Sequence, residues 1–119
     1  GNLALHLAAE AGHVDVIKVL VDKGVNPDVP GANKDTAIHL AAISGHVPVA
    51  QALISAGCRL DVRNGASSTP LHVAAAASQP PIIRCLISAG ADRNQRDSQG
   101  QTPPDLAKDN ATMAAFQGR

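Results

Sequence analysis

The chain has 119 residues, a length that suits a single domain. Its ten basic and ten acidic residues give a formal net charge of zero, which argues against nucleic acid or an anionic membrane surface as the direct partner. Apolar residues make up 45% of the chain, but they form no run of about 18 residues, so the sequence predicts no membrane insertion.

A seven-residue phrase recurs along the chain with an offset of 33 residues. Its copies lie at residues 3–9 (LALHLAA), 36–42 (TAIHLAA), 69–75 (TPLHVAA) and, in altered form, from residue 102 (TPPDLA). Gly24, Gly57 and Gly90 keep the same period, as do the Gly-His pairs at 12–13 and 45–46. A fixed period of this length predicts an array of stacked repeats.

Each copy of the phrase predicts a short first helix. A threonine before the helix is a good N-cap because its hydroxyl accepts from the free amides of the first turn, and Pro70 and Pro103 follow at a position that suits proline. Gly45 ends the helix, since glycine tolerates a left-handed turn. Leu3 replaces the threonine in the first copy, and a lost cap costs about 1 kcal/mol, so we expect that helix to fray.

A second helix is predicted in each unit, at residues 14–23, 48–56 and 81–89. Its apolar residues recur in adjacent pairs, Val16 with Ile17 and Val19 with Leu20 in the first copy, which marks one buried helix face. A glycine then ends the helix, and we expect Gly57 to need a positive φ. In the third unit the sequence AASQPP replaces the Gly-His turn, so we expect the turn between its helices to differ locally.

The chain resembles the ankyrin repeat family in the phrase TPLHVA at 69–74, the Gly-His pairs and the sequence Gly-Ala-Asp at 90–92. The resemblance implies an all-α solenoid of stacked helix-turn-helix pairs with projecting β-hairpin loops. It also implies four units that together make one domain: repeat 1 at 1–32 without its leading hairpin, repeat 2 at 33–65, repeat 3 at 66–98, and an incomplete C-terminal capping repeat at 99–119.

Three histidines, His6, His39 and His72, occupy the same position in successive repeats. A shared metal ion would need its ligands at about 2.1 Å, whereas packed helices lie about 10 Å apart, so the spacing argues against a metal site. We expect each histidine instead to hydrogen-bond the threonine hydroxyl and the loop backbone, as its counterpart does in ankyrin repeats.

The two cysteines lie at unrelated places in their repeats, which favours free thiols in a reducing compartment, the cytoplasm, the nucleus or both. Cys58 could be imagined as a nucleophile beside a histidine, but nothing in the sequence fixes a base or an oxyanion donor. Cys85 falls on an apolar helix face and is interpreted as a core residue. We therefore expect no catalytic residue, no cofactor and no enzyme activity.

The resemblance to ankyrin repeats implies partner contacts just before each threonine and near the end of each first helix. The corresponding positions are Glu10, Ala11, Ala32, Asn33, Asp35, Ile43, Ser44, Gly65, Ala66, Ser68, Ala76, Ala77, Ser98, Gln99, Gln101, Asp109 and Asn110. Four of them, Ala11, Ile43, Ala76 and Ala77, would form a shallow apolar strip with Ile43 as its anchor. Alternatively, Ile43 packs under a neighbouring hairpin.

A second candidate patch is basic. Arg63 and Arg96 lie 33 residues apart and should stack at the base of successive hairpins, with Arg59 and Arg93 nearby. An acidic or phosphorylated partner could use these guanidinium groups. Alternatively, they pair with the neighbouring aspartates in a solvated network formed with Asp61, Asp92 and Asp97.

These features favour a protein–protein interaction module that, by the same resemblance, binds a protein or peptide on a concave groove and on the hairpin tips. We expect it to belong to a larger intracellular scaffold or regulatory protein, and the missing first hairpin leads us to expect further repeats before residue 1. Alternatives are a targeting or regulatory domain of an enzyme or transcription regulator, and an array that only spaces or tethers. The sequence indicates no oligomeric state.

Overall fold

A computed structural model describes residues 3–117, which form seven α-helices and two short 3₁₀ turns. The helices are α1 (Ala4–Ala11), α2 (Val14–Asp22), α3 (Ala37–Ser44), α4 (Val47–Ser55), α5 (Pro70–Ala76), α6 (Pro80–Ser88) and α7 (Asn110–Gln117). The 3₁₀ turns are Ala32–Lys34 and Pro103–Leu106. Residues 3–117 contain no β-strand, and none of their helices is long and apolar enough to cross a bilayer.

The helices form two layers of an elongated stack that measures 38 × 26 × 21 Å. One layer holds the first helix of each repeat: α1 packs on α3, α3 on α5, and α5 on the 3₁₀ turn Pro103–Leu106. The other layer holds the second helices, with α2 on α4, α4 on α6 and α6 on α7. Each repeat therefore contacts its neighbours in the sequence, and the predicted all-α solenoid is confirmed.

The core lies between the two layers and between successive repeats. Equivalent positions of the three first helices, Leu5, Ile38 and Leu71, are each 1% exposed. The alanines that follow, such as Ala41 and Ala42, are also buried, because a methyl side chain lets the neighbouring first helix approach closely. Burying one leucine or isoleucine side chain contributes about 1.5–3 kcal/mol, so the repeated apolar positions stabilise every interface between repeats.

The turns between paired helices share one backbone conformation. The amides of His46 and Gln79 both donate to the carbonyl five residues earlier, at 3.2 and 3.0 Å. Ser78 has a φ of 55° at the position where repeat 2 has Gly45 with a φ of 75°. The expected local difference in this turn is therefore wrong, since serine can enter the left-handed region that glycine prefers. Gly57, after the second helix, has the predicted positive φ of 86°.

The loops between repeats reverse direction in five-residue tips at 31–35, 64–68 and 97–101. In each tip the first amide donates to the last carbonyl, at 2.9, 3.0 and 2.9 Å. The side chains of Asn64 and Asp97 each accept from two amides of their own tip. Gly31 lacks such a side chain. All three tips have a positive φ at their fourth residue, Lys34, Ser67 or Gly100, but the first tip has a second positive φ at Asn33. The projecting loops are thus present within residues 3–117, but as tight tips without β-ladders.

The last repeat is shorter than the others but keeps a second helix. Its first helix is reduced to the turn Pro103–Leu106, and α7 packs on α6. Ala115 and Phe116 are 2% and 3% exposed, and Arg93 donates to the carbonyl of Phe116. Residues 108–110 are exposed.

Candidate functional site

The repeated histidine is a buried connector between one repeat and the next hairpin. The Thr36 amide donates to Nδ1 of His39 at 3.2 Å, so Nδ1 carries the lone pair and Nε2 carries the proton. Nε2 then donates to the carbonyl of Ser68 at 2.9 Å. His72 repeats this arrangement with Thr69 and with the carbonyl of the residue before Thr102, at 2.8 Å. The predicted role of these histidines is confirmed.

The first histidine departs from this pattern. His6 Nδ1 accepts from the Leu3 amide at 3.0 Å, so the start of α1 keeps one cap even though Leu3 has no hydroxyl. His6 Nε2 lies 2.9 Å from the carbonyl of Val29. The position equivalent to Ser68 would be Asp35, so the histidine contacts the base of the first hairpin and not its end. This change accompanies the different tip conformation around Gly31.

The cysteines and the repeated histidines, the residue types considered for chemistry, are buried or half-buried. Residues 3–117 contain no group of three or more His, Cys, Asp or Glu side chains that could hold a metal ion. Burial raises the pKa of the Cys58 thiol to about 12, which leaves almost no thiolate at neutral pH. Burial also raises the pKa of Cys85. The buried histidines already use both ring nitrogens in scaffold hydrogen bonds.

Burial gives the stability of the fold a pH dependence. Burial lowers the pKa of His39, although the Ser68 carbonyl opposes this shift. Below the ordinary histidine pKa of about 6.5, the unfolded chain binds a proton that the folded chain excludes. The contribution of neutral His39 to the free energy of unfolding is therefore complete above that pH. It is lost as the pH falls toward the lower pKa that His39 has in the folded chain. We expect the urea midpoint to fall between about pH 7 and pH 5.

The variant His39→Gln tests the origin of this dependence. Glutamine does not titrate, so the variant, although less stable at every pH, should show a shallower fall of the urea midpoint across the same range. Urea titrations at pH 7, 6 and 5 measure both slopes. Equal slopes in the two proteins would show that other groups cause the acid sensitivity.

Six of the seventeen expected partner-contact residues lie at, or directly after, the ends of the first helices α1, α3 and α5. These are Glu10, Ile43 and Ala76 at one position of the repeat, and Ala11, Ser44 and Ala77 at the next. Because α1, α3 and α5 pack side by side, each set forms a row across the stack. We call these six residues the helix-end strip. Ile43 is 49% exposed, so it is not covered by a neighbouring hairpin.

Nine other expected contact residues lie on the hairpin tips, where some of them join one repeat to the next. They are Ala32, Gly65 and Ser98 at one position, Asn33, Ala66 and Gln99 at the next, and Asp35, Ser68 and Gln101 at the last. The remaining two, Asp109 and Asn110, lie at the start of α7 and not at the end of a first helix. The Gly65 amide donates to the carbonyl of Asn33 at 2.7 Å, and the Asn64 side chain donates to Asp35 at 2.9 Å. The tips therefore use polar side-chain groups within the scaffold, whereas the scaffold contacts the helix-end strip through its backbone, at the carbonyls of Glu10 and Ile43.

The basic patch also belongs largely to the scaffold. Arg63 donates to the carbonyls of Ser67 and Arg96, at 2.8 and 2.6 Å, and so braces two successive tips. Arg96 donates to a carbonyl of its own tip at 2.8 Å. The expected pairing with aspartates is found for Arg59, whose Nε lies 3.3 Å from Asp61 Oδ1. For Arg63 and Arg96 that expectation is wrong, because backbone carbonyls accept their hydrogen bonds.

An open groove of about 560 Å³ that the sequence did not predict lies between α2 and α4. Its lining residues are Val14, Ile17, Lys18, Val21, Asp22, Pro48, Gln51, Ala52, Ser55 and Ala56. None of the expected partner-contact residues is among them. The sequence signal for this groove is the pair Ala52 and Ala56, because small side chains on α4 and directly after it leave space beside α2.

The repeats have counterparts among known protein families. Residues 1–64 match a family model described as ankyrin repeats in three copies, and residues 53–107 match one described as ankyrin repeats in many copies. No curated protein matches the chain. The family matches agree with the 33-residue period and the two-layer stack.

Proposed function

The chain belongs to the ankyrin repeat family, whose repeats are generally non-catalytic protein–protein interaction modules, and we propose that its helix-end strip and hairpin tips bind a protein or peptide. The single observation that carries this proposal is the exposure of Ile43. A β-branched apolar side chain that is 49% exposed, in a row with Ala76 and next to the row that holds Ala77, offers a shallow apolar surface.

The chemistry of the strip indicates what the partner supplies. The strip contains no Trp, Tyr or Arg, the residues that most often dominate binding energy at interfaces. The partner therefore contributes an aromatic or long aliphatic side chain to cover Ile43, and a basic group can approach Glu10. Asn33 and Asp35 on the first tip extend this surface, although Asp35 also accepts a hydrogen bond from Asn64.

The setting of this function is a larger scaffold or regulatory protein in the cytoplasm, the nucleus or both. The free thiols of Cys58 and Cys85 support a reducing compartment, because thiols persist there without forming disulfides. The near-balanced charge supports a protein partner over direct contact with nucleic acid.

Affinity capture tests the binding surface. The intact chain, Ile43→Arg and Gln51→Arg serve as parallel baits, and bound proteins are identified by mass spectrometry. Gln51 is exposed and lines the groove between α2 and α4, so Gln51→Arg adds the same charge away from the helix-end strip. We expect the intact chain and Gln51→Arg to capture the same partner in similar amounts. The amount that Ile43→Arg captures should be at least tenfold lower.

Two outcomes would contradict the proposal. Equal recovery with Ile43→Arg would exclude the helix-end strip as the binding surface. Loss with Gln51→Arg alone would assign binding to the groove between α2 and α4. Circular dichroism melts of all three proteins should coincide, because both substitutions lie at exposed positions.

A further inference from the structure

The second hairpin tip contains a chemically labile pair of residues, Asn64 and Gly65. Of the asparagines in the chain, Asn64 is the only one that a glycine follows. The amide nitrogen of the next residue can attack the side-chain amide carbon of an asparagine, and glycine favours this attack because it has no side chain to hinder the approach. The pair is therefore the place in this chain where asparagine loses its amide most readily.

The folded chain restrains both reacting groups through the first tip. The side-chain nitrogen Nδ2 of Asn64 donates to Oδ1 of Asp35 at 2.9 Å, and the Gly65 amide donates to the carbonyl of Asn33 at 2.7 Å. The reaction removes the proton that Gly65 donates and expels the nitrogen that Asn64 donates. Both hydrogen bonds between the tips therefore oppose it.

The contact between the tips also explains why these two residue types stand here. A Cβ atom on Gly65 would clash with the side chain of Asn33 and lie 3.1 Å from its carbonyl oxygen, so glycine lets the first tip approach. The carboxylate of Asp35 requires a donor opposite it, which an asparagine supplies and an ionised aspartate does not. In the third tip the equivalent residue is Asp97, and there Ser68 replaces Asp35 at the equivalent position of the preceding tip.

We propose that Asn64 is a deamidation site that is protected while the first and second tips are joined and is converted to aspartate or isoaspartate when they separate. Hairpin tips open locally more often than a core unfolds, because their backbone hydrogen bonds are exposed to water. Asn64 lies on the tips and not on the helix-end strip, so this chemistry is independent of partner binding at Ile43.

The reaction consumes one water and releases one ammonia, without oxidation or reduction. The nitrogen of Gly65 bonds to Cγ of Asn64 while its proton passes through water to Nδ2, which leaves as ammonia when its bond to Cγ breaks. Water then opens the resulting five-membered imide at one of its two carbonyl carbons and restores the N–H of Gly65. Opening at Cγ leaves an aspartate, and opening at the main-chain carbonyl leaves an isoaspartate.

Either product weakens the contact between the tips. An aspartate loses the Nδ2 donor and places a second carboxylate at hydrogen-bond distance from Asp35, so the two like charges repel. The amides of Gln101 and Gln99 lower the pKa of Asp97 in the equivalent tip, so a carboxylate held in this way is ionised at neutral pH. An isoaspartate lengthens the backbone of a tip that the Asn64 amide closes by donating to Ser68 at 3.0 Å.

Peptide mapping by mass spectrometry tests the site. The 119-residue chain is incubated at mildly alkaline pH in buffer and in enough guanidinium chloride to unfold it, and aspartate and isoaspartate at residue 64 are quantified. We expect conversion to be at least tenfold faster in the unfolded chain, because the folded chain reacts only from its open fraction. In the unfolded chain Asn64 should also react faster than Asn94, which a glutamine follows.

Asp35→Ser separates opening of the tips from global unfolding. It removes the acceptor of Asn64 Nδ2 and introduces the residue type that the next tip has at this position, so conversion in buffer should rise at least threefold. Gly90→Val is the control, because it strains a turn with a φ of 103° outside the first two tips. If Gly90→Val accelerated conversion as much as Asp35→Ser, global unfolding would set the rate and the proposal would be wrong.

Asn64→Asp reproduces the aspartate product. It should increase the unfolding equilibrium constant at least fivefold, the effect of one lost hydrogen bond with added repulsion. Asp35→Asn in the same chain should reverse most of this loss, because it returns a donor to the pair. The proposal is overturned if Asn64 converts equally fast in the folded and unfolded chains, if Asp35→Ser leaves the rate in buffer unchanged, or if Asn64→Asp is as stable as the parent.

Discussion

Replacing His39 by alanine should lower the free energy of unfolding by about 4 kcal/mol, a large part of the 5–15 kcal/mol that stabilises a typical domain. His39 is fully buried and joins Thr36 to the carbonyl of Ser68. The substitution leaves a cavity, and it leaves a buried amide and a carbonyl without their partner, each of which carries a desolvation cost. Urea denaturation followed by circular dichroism measures the loss.

The matched control is His46→Ala. The side chain of His46 is half-buried and makes one hydrogen bond, to the carbonyl of Glu10, so its removal should cost about 1 kcal/mol. Equal losses for the two variants would mean that the repeated histidine of the first helix is not the principal connector between repeats.

Gly45→Val should also be strongly destabilising, by about 3 kcal/mol, because two penalties combine at this position. Gly45 has a φ of 75°, a region that β-branched residues avoid. Any Cβ there would also lie 2.5 Å from Oε1 of Gln79, so the glutamine must leave the carbonyl of Ile43. The variant therefore strains the turn and weakens the contact between repeats 2 and 3.

Gly57→Val separates these two penalties. Gly57 has a similar φ of 86°, but a Cβ at this position would meet no atom within 4 Å. We expect a loss of about 1–2 kcal/mol from backbone strain alone. If Gly57→Val proved as costly as Gly45→Val in urea titrations, the contact of Gln79 with the turn of repeat 2 would contribute nothing.

The fold was largely predictable from the sequence because its information is periodic. A threonine cap, a short alanine-rich helix and a glycine stop recur every 33 residues, and each has a local physical reason to form where it does. The same period argued against one metal ion shared by the repeated histidines, and the resemblance to ankyrin repeats implied the hydrogen-bonding role of His39. Family resemblance supplied the two-layer arrangement.

The errors lie where one side chain replaces another in the same geometry. Ser78 adopts the left-handed conformation of Gly45, and Gln79 makes the contact of His46, so a changed sequence keeps an unchanged turn. Arg63 stands beside aspartates in the sequence but donates to carbonyls of two hairpins. The hydrogen-bond partner of such a side chain depends on which acceptors the neighbouring repeat brings close to it. The sequence alone does not give those distances.

The candidate site was predictable in position but not in character. The resemblance to ankyrin repeats placed contact residues on helix ends and on hairpin tips with equal weight. The structure separates them, because a hydrogen bond between tips occupies the side chain of Asp35, whereas the side chain of Ile43 is exposed. The groove between α2 and α4 was not predicted, because it depends on the distance between the two helices beside the small side chains of Ala52 and Ala56.

Hydroxyl-radical labelling of the side chains, with and without the captured partner, tests the central claim most directly. Ile43 lies on the helix-end strip, whereas Val21 and Pro48 line the groove between α2 and α4. We predict that the partner lowers the oxidation rate of Ile43 at least fivefold and leaves the rates of Val21 and Pro48 unchanged. An unchanged rate at Ile43, with protection of Val21 and Pro48, would contradict the account and assign binding to the groove.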